Sequence, residues 1–199
     1  LTAPSTAGRA NQKLRTRTAI LQAAAELSRT GREVSMPEIA AAALVSEATA
    51  YRYFPDLVTL LQEVMAGLLP DPAEALASVA HSSDPVERVA AATEFLLRHV
   101  QARQGVVRAM IAGAVVRPGQ VARPGLRFGL IDYALAPLAE TPGAVDPTAL
   151  AQLKRDLAVV VSAEALFSLT DLCGLDPEEA IASVVHTATT LARAAVQAG

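Results

Sequence analysis

The chain is 199 residues long, 52% apolar and 19% charged, with a formal net charge of −3. That length buries a core without covalent staples, and the composition is that of a globular chain rather than a disordered one. Aromatics make up 4%, Trp is absent and Ala dominates the apolar residues, a balance that favours helices over sheets. One cysteine, Cys173, and three scattered histidines, His81, His99 and His186, exclude an internal disulfide framework and argue against a histidine metal site. No metal and no cofactor is expected. No apolar run reaches the roughly 18 residues of a membrane helix, and the start of the chain has no signal-peptide core, so the expectation is a cytoplasmic protein with no membrane partner.

Charge is unevenly spread. Residues 1–53 hold seven Lys and Arg against four acids, whereas residues 54–199 hold ten against sixteen. A basic head on an acidic body suggests a polyanion-binding module joined to something else. Leu1 to Asn11 is rich in Thr, Ser, Ala, Gly and Pro, and residues 1–13 are expected to be a flexible basic arm. From Leu14 the apolar positions Ile20, Leu21, Ala24 and Leu27 follow a helical spacing that ends near Gly31, a natural C-terminal cap. Ser35, Pro37 and Glu38 form a capping box that opens a second, short helix ending near Ala43. Leu44 and Val45 make a tight turn, Ser46 caps again, and Glu47 to Phe54 is a third helix, stopped by Pro55.

Two short helices joined by a turn form a helix-turn-helix, whose second helix enters the major groove. Tyr51, Tyr53 and Phe54 bring three of the chain's aromatics into this second helix, with Arg52 between them. Phenolic hydroxyls and a guanidinium on an exposed helix suit phosphate oxygens and base edges.

These residues carry a family resemblance. ILQAAAEL at 20–27, Gly31, EIA at 38–40, VSEATAYRYFP at 45–55 and Leu60–Leu61 are similar to the DNA-binding domain of the tetracycline-repressor (TetR) family of bacterial transcription regulators. The resemblance spans Arg17 to Leu61. It departs in two places: the turn usually carries Gly where this chain has Leu44, and a phosphate-contacting Lys is common where it has Leu57. The resemblance implies that Arg17, Ser35, Met36, Ser46, Glu47, Ala48, Thr49, Tyr51, Arg52 and Tyr53 meet DNA. Ser35 and Thr49 would bond phosphates, Glu47, Ala48 and Arg52 would face base edges, and Phe54, Ile39 and Leu21 would hold the helix in place.

The acidic body repeats one helix start, Asp followed by Pro, at residues 71, 84, 146 and 176, each an N-cap with proline in the first turn. Helices are expected near 57–68, 72–81, 85–104, 106–116, 125–139, 147–173 and 177–197, with loops at Arg117 to Pro124 and Glu140 to Asp146. The last two helices resemble the pair through which TetR-family proteins form homodimers. Ile181, Val184, Ala188, Leu191 and Ala195 are the expected interface. An effector pocket for a small, mainly hydrophobic molecule is expected among Met65, Phe95, His99, Met110, Phe128, Tyr133, Glu164 and Phe167.

The reading is therefore all-α: a helix-turn-helix domain at 14–58 and a helical effector-binding and dimerisation domain at 59–199. The expected function is a repressor that binds a palindromic double-stranded operator as a homodimer and leaves it when an effector binds. Two other classes stay open. No Ser-His-Asp spacing, H-E-x-x-H or glycine-rich phosphate loop supports an enzyme, although an all-α enzyme could spread its residues over distant helices. A helical scaffold or adaptor would leave the basic arm beside the Tyr-Arg-Tyr helix unexplained.

Overall fold

The computed structural model describes residues 6–68, 70–116, 125–141 and 145–198, and every regular element among them is helical. The chain divides into two units, one of residues 1–68 with 102–124 and one of residues 69–101 with 125–199. No helix among the described residues is long and apolar enough to cross a membrane. The expected loop at Arg117 to Pro124 lies outside the described residues.

In the first unit, α1 (Thr6–Ser28), α2 (Met36–Ala42), α3 (Glu47–Tyr53) and α4 (Leu57–Leu68) surround one small core. Helix α1 starts at Thr6, so the segment expected as an arm is helical from there onward; after Pro4 nothing in the sequence breaks a helix before Gly31. Ile20, Ala23 and Ala24 of α1 meet Met36, Ile39 and Ala40 of α2, Ala50 of α3, Phe54, and Leu60 and Val64 of α4. Ile39 and Phe54 are essentially fully buried, each worth about 1.5–3 kcal/mol of transfer free energy.

The connections follow local chemistry. Gly31 ends the turn after α1 with a φ of 69°, a left-handed value that costs glycine nothing. The capping box opens α2 as expected: the Ser35 N–H donates to Glu38 Oε2 at 2.9 Å, and the Glu38 N–H donates back to Ser35 Oγ at 3.4 Å. In the turn between α2 and α3, the Leu44 and Val45 N–H groups donate to the Ala41 and Ala40 carbonyls at 3.1 and 3.0 Å. Ser46 then caps α3, accepting the Thr49 N–H at 3.2 Å.

A fifth helix of this unit comes from far along the chain. Helix α7 (Gln104–Val116) packs on α4. Gly105 lets it touch the loop between α1 and α2 directly: its N–H donates to the Gly31 carbonyl at 3.3 Å, and a Cβ there would stand 2.2 Å from the Arg32 carbonyl oxygen. At Gly113 a Cβ would stand 2.7 Å from a methyl of Val58 on α4.

The second unit holds α5 (Pro72–Ala75), a 3₁₀ turn (Ala77–Val79), most of α6 (Pro85–Ala102), α8 (Leu126–Ala134), α9 (Ala136–Glu140), α10 (Pro147–Val160), α11 (Ala163–Phe167) and α12 (Pro177–Ala198). All four Asp-Pro starts behave as caps. The Asp71, Asp84, Asp146 and Asp176 carboxylates accept backbone N–H groups two residues on, at 2.8, 2.8, 2.8 and 2.9 Å.

Three expected helices are interrupted. The one at 72–81 tightens to 3₁₀ geometry after Ala75, and the one at 125–139 steps at Leu135 because Pro137 has no N–H to give. The one at 147–173 breaks at Val161–Ser162. There the Ser162 hydroxyl donates back to the Val159 carbonyl at 2.9 Å and accepts the Ala165 N–H at 3.1 Å, ending α10 and starting α11. Helix α11 runs on into a π-helical turn, Ser168–Leu172, and Gly174 closes the connection at a φ of 69°. Helix α12 packs along α10 and turns Ala180, Ile181, Val184, Ala188 and Ala192 inward.

Candidate nucleic-acid interface

Helix α3 has two sides. Ala50 and, just past its end, Phe54 point into the core, at 0% and 1% exposure. Glu47, Ala48, Tyr51 and Arg52 are exposed, and their spacing places them on one face. Thr49 and Tyr53 flank that face half-buried, and Ser46 is exposed at its leading end. The Ser46 and Thr49 hydroxyls share a hydrogen bond of 2.9 Å. Arg52 stands 5.7 Å from the centre of the Tyr53 ring, close enough for a cation–π contact that narrows where its guanidinium can swing. A phenol, a guanidinium and a carboxylate on one exposed helical face, with hydroxyls at its N-terminal end, can read donors and acceptors in a groove and bond the backbone beside it.

Ser35 is half-buried at the start of α2, and its hydroxyl donates to Glu38 Oε2 at 2.7 Å. That bond, a backbone N–H from the same residue and the nearby Arg32 guanidinium hold the Glu38 carboxyl below its ordinary range. Met36 is 2% exposed, so its side chain serves the core. Arg17 is half-exposed and donates from Nη2 to Glu63 Oε2 of α4 at 2.5 Å, with its guanidinium 5.1 Å from the Phe54 ring centre. Lys13 and Arg15 are exposed on α1; the Arg9 side chain lies outside the described residues.

The residues expected to line an effector pocket divide between the units. Met65 and Met110 are buried in the first. In the second, Phe95 and His99 are half-buried and stack on each other with centroids 6.2 Å apart. Tyr133, Glu164 and Phe167 are half-buried, whereas Phe128 is 53% exposed and lies under Arg127. Of the residues expected at a dimer interface, Ile181, Val184 and Ala188 are buried within the single chain, and Leu191 and Ala195 are half-buried.

Two arrangements had no signal in the sequence. One is the Arg17–Glu63 pair, which spans 46 residues. The other is Arg88, 4% exposed, whose guanidinium donates to four carbonyls: Ala134 at 3.1 Å, Val79 at 3.1 Å, Ser82 at 3.3 Å and Tyr133 at 2.6 Å. It also stands 4.9 Å from the centre of the Tyr133 ring.

Residues 20–64 match the family model of the bacterial regulatory proteins of the tetR family, a span that contains α2, α3, the turn between them and most of α4. No protein with a curated description matches the chain. Among solved structures, the chain is similar to FadR of Thermus thermophilus, a TetR-family transcriptional repressor in complex with lauroyl-CoA. The likeness covers 86% of this chain and 92% of FadR, with a TM-score of 0.56 and 24% identity. Residues 20–64 are thus similar to the bacterial regulatory proteins of the tetR family, and the chain as a whole shares the all-helical fold of FadR.

Proposed function

We propose that the chain is a sequence-specific transcriptional repressor that reads a palindromic operator as a homodimer and is released by a mainly hydrophobic effector. The observation that carries this reading is the exposed face of α3, where Glu47, Ala48, Tyr51 and Arg52 stand together while Ala50 and Phe54 anchor the opposite side. Ser46, Thr49 and Tyr53 flank it as phosphate and sugar contacts, and Ser35 adds one from the start of α2. A single short helix reads few base pairs, so specificity calls for two copies on a twofold site. Leu191 and Ala195 on α12, with the exposed Val159 of α10 and Val196 of α12, offer the apolar surface for that pairing.

For the effector, the second unit supplies Phe95, His99, Tyr133, Glu164 and Phe167: aromatic surface with few polar groups, suited to an apolar body carrying a polar end. FadR holds a ligand of that kind. A molecule that favours the conformation fitting DNA less well lowers operator affinity, and the operator lowers its affinity by the same factor. The test is a binding titration on duplex DNA selected by the protein from a random library, repeated over a salt series with and without lauroyl-CoA as probe. The reading expects affinity that falls steeply with salt and falls further with the probe. Equal affinity for selected and random duplexes contradicts the DNA assignment, and a probe that neither binds nor shifts the titration contradicts the effector class.

A further inference from the structure

Helix α3 is seven residues long and buries one of them, Ala50. Its tilt therefore depends heavily on what holds its ends. The N-terminal end is held by the Ser46 cap. The C-terminal end passes into Phe54, whose N–H donates to the Ala50 carbonyl at 2.9 Å and whose ring sits in the core at 1% exposure. Over that ring, 5.1 Å from its centre, lies the guanidinium of Arg17 from α1, bonded at 2.5 Å to Glu63 from α4. Three elements meet at one cation: α1, the end of α3, and α4. The Arg17 and Glu63 side chains are 41% and 38% exposed, so the pair is partly withdrawn from water, where a charge-assisted bond gains strength. The Glu63 carboxylate beside Arg17 offsets the positive charge that a phosphate would meet there.

We infer that Arg17 and Glu63 are a positioning pair: Arg17 serves DNA binding by fixing Phe54, and with it the tilt of α3, against α4, rather than by meeting a phosphate. The pair also makes the set of the reading helix depend on α4. This inference rests on the proposed sequence-specific DNA binding through α3.

A phosphate contact supports binding to all sequences alike, whereas the tilt of the reading helix supports binding to the correct one. The experiment measures the ratio of affinities for the selected duplex and a random duplex, in the wild type, in Arg17→Glu, in Glu63→Arg and in the variant carrying both exchanges. The ratio should fall about threefold to tenfold in each single variant, the scale of a partly exposed ion pair with a cation–π contact. It should recover part of that loss in the double variant, where the ion pair between α1 and α4 is restored with its charges exchanged but no cation stands over Phe54. Should a charge reversal fail to fold, Arg17→Gln and Glu63→Gln carry the same test through losses in the ratio that do not add in the double variant. A ratio unmoved by Arg17→Glu, or an exchange no better than that single variant, overturns the inference alone. A wild-type protein with no preference for any duplex overturns the inference and the functional reading together.

Discussion

Leu44 holds the turn of the helix-turn-helix at a φ of 56°, with 93% of its surface exposed. A left-handed backbone costs an L-residue roughly 1–2 kcal/mol, and the TetR resemblance expects glycine at this position. Leu44→Gly relieves the strain and forfeits little burial, but it gives the unfolded chain more freedom, which returns part of the gain. The expected outcome is a stabilisation of about 0.5–1 kcal/mol, read as a rise in Tm of roughly 1–4 °C. Arg52 is a different case, because it is exposed and its proposed role lies in reading. Arg52→Ala should cost roughly 1–3 kcal/mol on the selected duplex, the worth of a bidentate guanine contact, and leave Tm within about 1 °C. Fluorescence anisotropy checks the first and thermal unfolding the second; unchanged affinity would move the base contact to another residue.

Among the elements, local chemistry was the most legible part of the sequence. Ser35 with Glu38, Ser46, and the four Asp-Pro pairs announce helix starts because a cap needs only its own side chain and the N–H groups two or three residues on. The break at Ser162 was not legible: no glycine or proline marks it, and the apolar pattern runs through it. Only the Ser162 hydroxyl, turned back onto Val159, ends the helix. The place of α7 in the first unit was also hidden, since Gly105 matters for an approach to Arg32 from a distant part of the chain. In the site, the α3 face was readable from spacing, whereas the pairing of Arg17 with Glu63 was not, because the two lie 46 residues apart. Nothing in the sequence singles out Arg88 on α6. It ties α6 to the C-terminal turn of α8, to the end of the 3₁₀ turn at Val79 and to Ser82 beyond it. Arg88→Met would remove a donor from each of these carbonyls, most severely from Ala134, whose bond is buried, while Val79 keeps the Ser82 N–H; the cost is about 1–3 kcal/mol for each carbonyl that water cannot reach. Urea unfolding should show a loss of about 3 kcal/mol or more, and a loss below about 1 kcal/mol would mean that those carbonyls find other donors.

At the scale of the whole molecule, twofold symmetry connects the fold to the proposed function. The inward stripe of α12 is already covered by its own chain at Ile181, Val184 and Ala188, so in the proposed dimer contact with a second copy would fall to the flank carrying Leu191 and Ala195 and to exposed apolar residues such as Val159, 75% exposed on α10. Val159→Glu leaves the interior of the single chain untouched and places a charge where a partner would bury it, at a cost of several kcal/mol to association. Light scattering should report a monomer that unfolds at nearly the wild-type temperature. A dimer that survives both Val159→Glu and Leu191→Glu would place the interface elsewhere. The most direct measurement of the central claim is selection from a random duplex library by the wild-type chain. The account predicts enrichment of one sequence with twofold symmetry, its half-sites spaced by about one helical turn or a multiple of it, and loss of that enrichment when Arg52 is replaced by Ala. A library that stays random after repeated rounds, or an enriched sequence that Arg52→Ala selects equally well, would contradict it.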